Sequence, residues 1–129
     1  MEKEVASRSV MLIGESGMAK LAAAHVTICG LGGVGSYAME ALARSGVGHL
    51  TLIDFDIFSP SNLNRQIIAT VQTIGMRKVD AAKQRVLSIN PQAQVRVYPI
   101  FYLPETADLF DFSQYDYVVD AVDTVTAKL

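Results

Sequence analysis

The chain has a single cysteine among its 129 residues, Cys29, so it forms no internal disulfide and has no paired CxxC with which to hold zinc. Cys29 lies in the apolar run VTIC (26–29) and reads as a small buried hydrophobe rather than a reactive thiol. No apolar stretch approaches the roughly 20 residues that span a bilayer. The opening MEKEVASRSV lacks the apolar core of a secretory signal, so the expected location is the cytoplasm. A formal net charge of −2 excludes a polybasic nucleic-acid binder. There is no GxxxxGK[ST] either, so any ATP would bind without a Walker loop.

Half of the residues are hydrophobic, enough for one domain with a real core. The charges are segregated. Arg65, Arg77, Lys78, Lys83, Arg85 and Arg96 share their stretch with one acid, Asp80, whereas 105–123 carries six acids and no Lys or Arg. For most of these groups a solvated surface is a sufficient account.

Glu4 to Ile13 has mixed helical spacing and stops at GESG (14–17), where Ser16 is placed to cap a short helix through Ala24. HVTICG (25–30) then reads as a fully buried strand. A second helix, expected from about Val34 to Ser45, ends at Gly46. HLTLIDFD (49–56) is a second strand, and SPSNLNRQII (59–68) is loop chemistry leading into a helical turn. Met76 to Ile89 places Val79, Ala82, Val86 and Ile89 on one helical face and is closed by Asn90-Pro91. AQVRVYPI (93–100) alternates as a strand, PETADLF (104–110) starts a helix, and YDYVVDAVD (115–123) is a fourth strand.

Strands separated by helices predict an α/β fold: a doubly wound, mostly parallel Rossmann-like sheet with helices on both faces. The expected organisation is one nucleotide-binding domain over 1–129, with 1–24 as a helical arm and 25–129 as the βαβ core. The chain stops at VTAKL, the first turn of a helix, so it reads as part of a longer protein.

Gly30, Gly32 and Gly35 satisfy GxGxxG between a strand and a helix, with Gly33 beside them. Glycines let the backbone turn tightly and approach a phosphate, whose charge meets the free N–H groups of the helix start. Asp54, 19 residues past Gly35 at the end of the next strand, is placed to accept hydrogen bonds from ribose hydroxyls. These features do not separate NAD, FAD, S-adenosylmethionine and ATP.

The separation comes from the residues that follow. Loops after the strands of an open α/β sheet converge on one crevice, which brings Asn62, Asn64, Arg65 and Lys78 towards the glycine loop. Two fixed cations and two amides suit a triphosphate, and Asp123 beyond the fourth strand is placed to hold Mg²⁺. Each also has an ordinary reading: Arg65 as a surface residue, Lys78 as a solvated one, Asp123 as a helix cap.

GLGGVGS (30–36), GVGHLTLIDFD (46–56), SNLNRQ (61–66), GMRK (75–78), INP (89–91) and DAVDT (120–124) together resemble the adenylyltransferases related to the ubiquitin-activating enzyme, including those of molybdopterin and thiamine biosynthesis. GGVGSYAMEALARSGVG (32–48) and DAVDTVTAK (120–128) look most like the branch that dehydrates threonylcarbamoyladenosine in tRNA. The resemblance implies ATP-dependent adenylation, in which a carboxylate attacks the α-phosphate and pyrophosphate leaves. It implies a nucleotide site at Gly30, Gly32, Gly33, Gly35, Asp54, Ser61, Asn62, Leu63, Asn64, Arg65, Lys78, Asp123 and Thr124, with Asp123 on the metal. Arg65, Lys78 and Asp123 would act in catalysis, together with an Arg8 that reaches into the partner's site in a homodimer. The implied acceptor is tRNA. The competing readings are adenylation of a ubiquitin-like sulfur carrier and an NAD(P)-dependent oxidoreductase.

Overall fold

The computed structural model describes residues 1–100 and 116–121. Its elements are α1 (Lys3–Ala23), β1 (His25–Cys29), α2 (Gly33–Ser45), β2 (His49–Ile53), a 3-10 turn (Pro60–Asn64), α3 (Lys78–Ile89), β3 (Gln94–Tyr98) and β4 (Tyr117–Asp120). All strand pairs are parallel, and the sheet order is β3-β2-β1-β4. That order is the inner part of the doubly wound pattern, with β1 between β2 and β4, where the chain changes direction across the sheet. The helix expected at 104–110 lies outside the described residues.

The alternation of side chains along each strand divides the interior in two. Val26 and Ile28 of β1, with Leu50 and Leu52 of β2, face the main core, which α2 and α3 close with Met39, Ala43, Val79, Ala82 and Val86. Cys29 and Ile53 face the other way, onto Tyr98 and Ile100. Cys29 is buried there, and burial together with the nearby Asp120 pushes its thiol pKa up to about 11, which removes thiolate reactivity at neutral pH.

The strands are shorter than expected, β2 ending at Ile53 rather than at 56, and two helix starts also differ from the sequence reading. The break in α1 falls at Gly14, the first residue of the expected stop GESG, whose φ of 75° no side-chain-bearing residue adopts readily. Helical geometry resumes directly after it, so Ser16 lies inside the helix and does not cap it. The second difference is at α3, expected from Met76 but starting at Lys78. The two residues before it pair back on the exit of β2: Phe58 N–H donates to the Met76 carbonyl, and Ile57 bridges Arg77.

A charged clamp holds α2 against α3. Arg85 donates from Nε to Glu40 Oε2 at 2.9 Å and from Nη2 to Oε1 at 2.8 Å, while Arg44 Nε reaches Oε1 at 2.9 Å. The paired donors of Arg85, with Arg44, hold the Glu40 carboxyl below its ordinary value of 4.5 against the opposing effect of burial. A depressed carboxyl stabilises the fold fully above its unfolded value, and that contribution is lost as pH falls through the lower folded value. Glu40→Gln is therefore expected to cost about 1–2 kcal/mol at pH 7, and to flatten the loss of stability below about pH 4.5 in thermal melts across pH.

Candidate functional site

The strand register sets the position of the site. Cys29 pairs with Ile53 and with Asp120, and Ile53 pairs with Tyr98, so all four strands end at one level. The glycine turn, the 54–65 loop and the residues after Asp120 therefore leave the sheet along the same edge.

Gly30 makes the turn itself, with φ at 94° and its N–H donating to the Ile53 carbonyl at 2.8 Å. Ser36 Oγ then donates to the Leu31 carbonyl at 2.9 Å, a buried bond that fixes the loop against the first turn of α2. The first intrahelical bond runs from Ser36 N–H to the Gly32 carbonyl, which leaves the N–H groups of Gly33, Val34 and Gly35 ahead of it. The glycines have different jobs. A Cβ on Gly35 would overlap the Gly30 carbonyl and touch Ala121 at 3.3 Å, so Gly35 is where helix, turn and β4 meet. A Cβ on Gly32 would meet nothing within 4 Å, and one on Gly33 only the Arg65 carbonyl oxygen at 3.9 Å. Open space over a helix N-terminus fits a phosphate group.

Asp54 ties the loops together: its Oδ2 accepts from Leu31 N–H at 2.7 Å and its Oδ1 from Asp56 N–H at 2.8 Å. A carboxylate oxygen has two lone pairs, so both retain capacity for ribose hydroxyls. In the 3-10 turn, buried Asn62 uses its Oδ1 to accept from Ser59 N–H at 2.9 Å, so this amide builds the turn. Ser61, Leu63 and Asn64 are exposed, and Arg65 Nη1 curls back onto the Ser61 carbonyl at 3.1 Å and Asn64 Oδ1 at 3.0 Å. The Arg65 backbone sits beside Gly33, which brings this turn to the glycine loop.

Lys78 is buried, not solvated. Its Nζ lies 3.7 Å from Asp56 Oδ2 and 5.6 Å from the centroid of the buried Phe58 ring. Asp56 and Phe58 were not singled out by the sequence reading, although DFD (54–56), with acids two apart at a strand end, carries the signal for Asp56. Arg8 is exposed on α1 and makes no ion pair or hydrogen bond among the described residues. The structure therefore gathers the glycine turn, Asp54, the SNLNR turn and Lys78, and does not bring Arg8 to them. Asp123 and Thr124 lie outside the described residues. A cavity of about 500 Å³ between the two halves of α1, lined by Ala6, Val10, Met18 and Ala22, lies at the other end of the sheet.

Fold and site together define a Rossmann-like α/β domain with a buried lysine tied through Asp56 and Asp54 to its glycine turn. The chain belongs to the ThiF family, which it matches over residues 6–129. It is 45% identical over 123 residues to the tRNA threonylcarbamoyladenosine dehydratase of Bacillus subtilis (strain 168), covering 95% of this chain and 48% of that protein. The crystal structure of the E. coli tRNA N6-threonylcarbamoyladenosine dehydratase in complex with ATP superposes with a TM-score of 0.94 at 39% identity, over 98% of this chain and 52% of the other. An adenylyltransferase and sulfurtransferase, UBA4 of Eremothecium gossypii, is 36% identical over 123 residues, 92% of this chain and 27% of that protein. The chain thus spans about half the length of the dehydratases it matches. Among the described residues, no helix is long and apolar enough to cross a membrane.

Proposed function

We propose that this chain is the nucleotide-binding part of an ATP-dependent adenylating enzyme whose acceptor is the threonylcarbamoyl carboxylate of modified adenosine in tRNA, activated for dehydration and ring closure. The observation that carries the reading is Lys78, a buried ammonium linked through Asp56 and Asp54 to the glycine turn. A dinucleotide site neutralises its pyrophosphate mainly with loop and helix, whereas a further buried cation suits a triphosphate. Similarity to dehydratases, one of them crystallised with ATP, supports both nucleotide and acceptor.

In this reading the N–H groups at Gly32, Gly33 and Gly35 face phosphate oxygens, Asp54 holds ribose, and Arg65 and Lys78 take up charge as pyrophosphate departs. Asp123 would hold Mg²⁺, which would offset phosphate charge, and Thr124 would belong to the nucleotide-binding set. Arg8, exposed on α1, acts in the partner's site of a homodimer, and the enzyme works in the cytoplasm.

The test uses the intact protein carrying this chain, with α-labelled ATP, Mg²⁺ and tRNA bearing threonylcarbamoyladenosine. The expected products are AMP and a nucleoside lighter by one water. AMP formed only with a ubiquitin-like sulfur carrier would move the acceptor to the alternative that the UBA4 similarity favours. Tighter binding of NADH than of ATP would return the protein to the oxidoreductases. Mixing Arg8→Ala with Lys78→Ala protomers, each inactive alone, is expected to restore part of the activity, and failure to do so would remove Arg8 from the partner's site.

A further inference from the structure

We propose that Asp56 is a positioning residue: the resting counter-ion of Lys78, which keeps the ammonium beside the phosphate loop and yields it when a triphosphate enters. The second half of this statement rests on the ATP reading above. The first half rests on the geometry of the pair alone.

Lys78 and Asp56 are unlike partners. The lysine side chain is 6% exposed and the aspartate side chain 54%. Their 3.7 Å separation is longer than that of a hydrogen-bonded ion pair, as the 2.8 Å contact between Arg85 and Glu40 in the same protein illustrates. An ammonium has three donors, and Nζ of Lys78 has no hydrogen-bond acceptor among the described residues; its neighbours there are Asp56 and the face of Phe58. A buried cation held this loosely is costly to keep unless a better anion takes its donors.

The backbone explains why it stays. Lys78 N–H donates to the Asp56 carbonyl at 3.0 Å, and Asp56 Oδ1 accepts from Ile57 N–H at 2.8 Å. Asp56 N–H donates to Asp54 Oδ1, and Asp54 Oδ2 accepts from Leu31 N–H. A continuous chain of bonds therefore runs from the glycine turn through Asp54 and Asp56 to the first residue of α3. Asp56 is the link that meets Lys78 with both backbone and side chain. A half-exposed carboxylate competes with phosphate for the same ammonium, and it loses because a triphosphate carries more charge and more acceptor oxygens.

The test is Asp56→Asn, which can keep an oxygen for Ile57 N–H and removes only the charge, made both in the native sequence and in a Lys78→Met background. In thermal melts without nucleotide, Asp56→Asn is expected to lower Tm by about 2–4 °C when Lys78 is present and to leave it unchanged when residue 78 is methionine. In ATP titrations the same substitution is expected to tighten binding about two- to five-fold, and only with Lys78 present. Equal Tm shifts in the two backgrounds would overturn the counter-ion assignment, and unchanged or weaker ATP binding would overturn its competition with phosphate. If no variant binds ATP while the Tm shifts remain coupled, the ATP reading fails and the counter-ion assignment stands.

Discussion

Gly35→Ala is expected to lower stability by about 3–5 kcal/mol and to abolish nucleotide binding, whereas Gly32→Ala, three residues earlier, leaves the melting temperature nearly unchanged. The reason lies in what each new methyl group meets. At Gly35 it would fall 2.8 Å from the Gly30 carbonyl carbon, with Ala121 at 3.3 Å behind it. Neither neighbour is the free end of a flexible side chain. Relief requires α2 to move off the turn, and the turn is bonded to β2 through Gly30 and to Asp54 through Leu31. At Gly32 the methyl group enters open space, on extended backbone with a negative φ of −78°. That space is where a phosphate would lie, so Gly32→Ala is expected to weaken ATP binding at little structural cost. Thermal melts with and without ATP separate the two effects. Equal loss of stability in both variants would mean that Gly32 is structural and that the cradle has been misplaced.

Lys78→Met is expected to reduce adenylate formation by about 10²–10³-fold, the scale on which removal of one preorganised charge from a transition state acts, while the protein melts at the same temperature or higher. Removing a charge normally destabilises when a buried partner is left behind. Here the partner, Asp56, is half exposed and returns to water, and an unbranched apolar side chain of similar length fills the space over Phe58. Opposite signs for activity and stability distinguish a functional lysine from a structural one. Measured by exchange of pyrophosphate into ATP, activity within tenfold of the native value would remove Lys78 from the reaction.

Much of the candidate site's layout was legible because glycines, acids and turn residues at strand ends have few alternative uses. The GxGxxG spacing, Asp54 and SNLNR each named a loop, and the parallel pattern required those loops to leave the same edge of the sheet. Ser16 reads as a cap because a serine before a helical run is a sound start signal, but helical geometry resumes directly after the positive φ of Gly14 and leaves no non-helical residue at 16. The start of α3 shifted from Met76 to Lys78 because Phe58 and Ile57, roughly twenty residues earlier, capture the backbone at 76–77, a pairing that no local propensity reports. The Asp56–Lys78 pair was missed for the same reason. Asp56 looks like an ordinary surface charge, and Lys78, although placed at the crevice, shows no partner until β2 and α3 are set side by side.

The sequence by itself therefore determined the order of the described elements, the parallel class of the sheet and which residues its loops carry, since hydrophobic period and glycine placement act over a few neighbouring residues. Tertiary structure alone decided which glycine packs and which leaves room, which oxygens of Asp54 brace the turn, and that Lys78 is buried. Those properties depend on distances between segments far apart in the chain, and packing sets such distances.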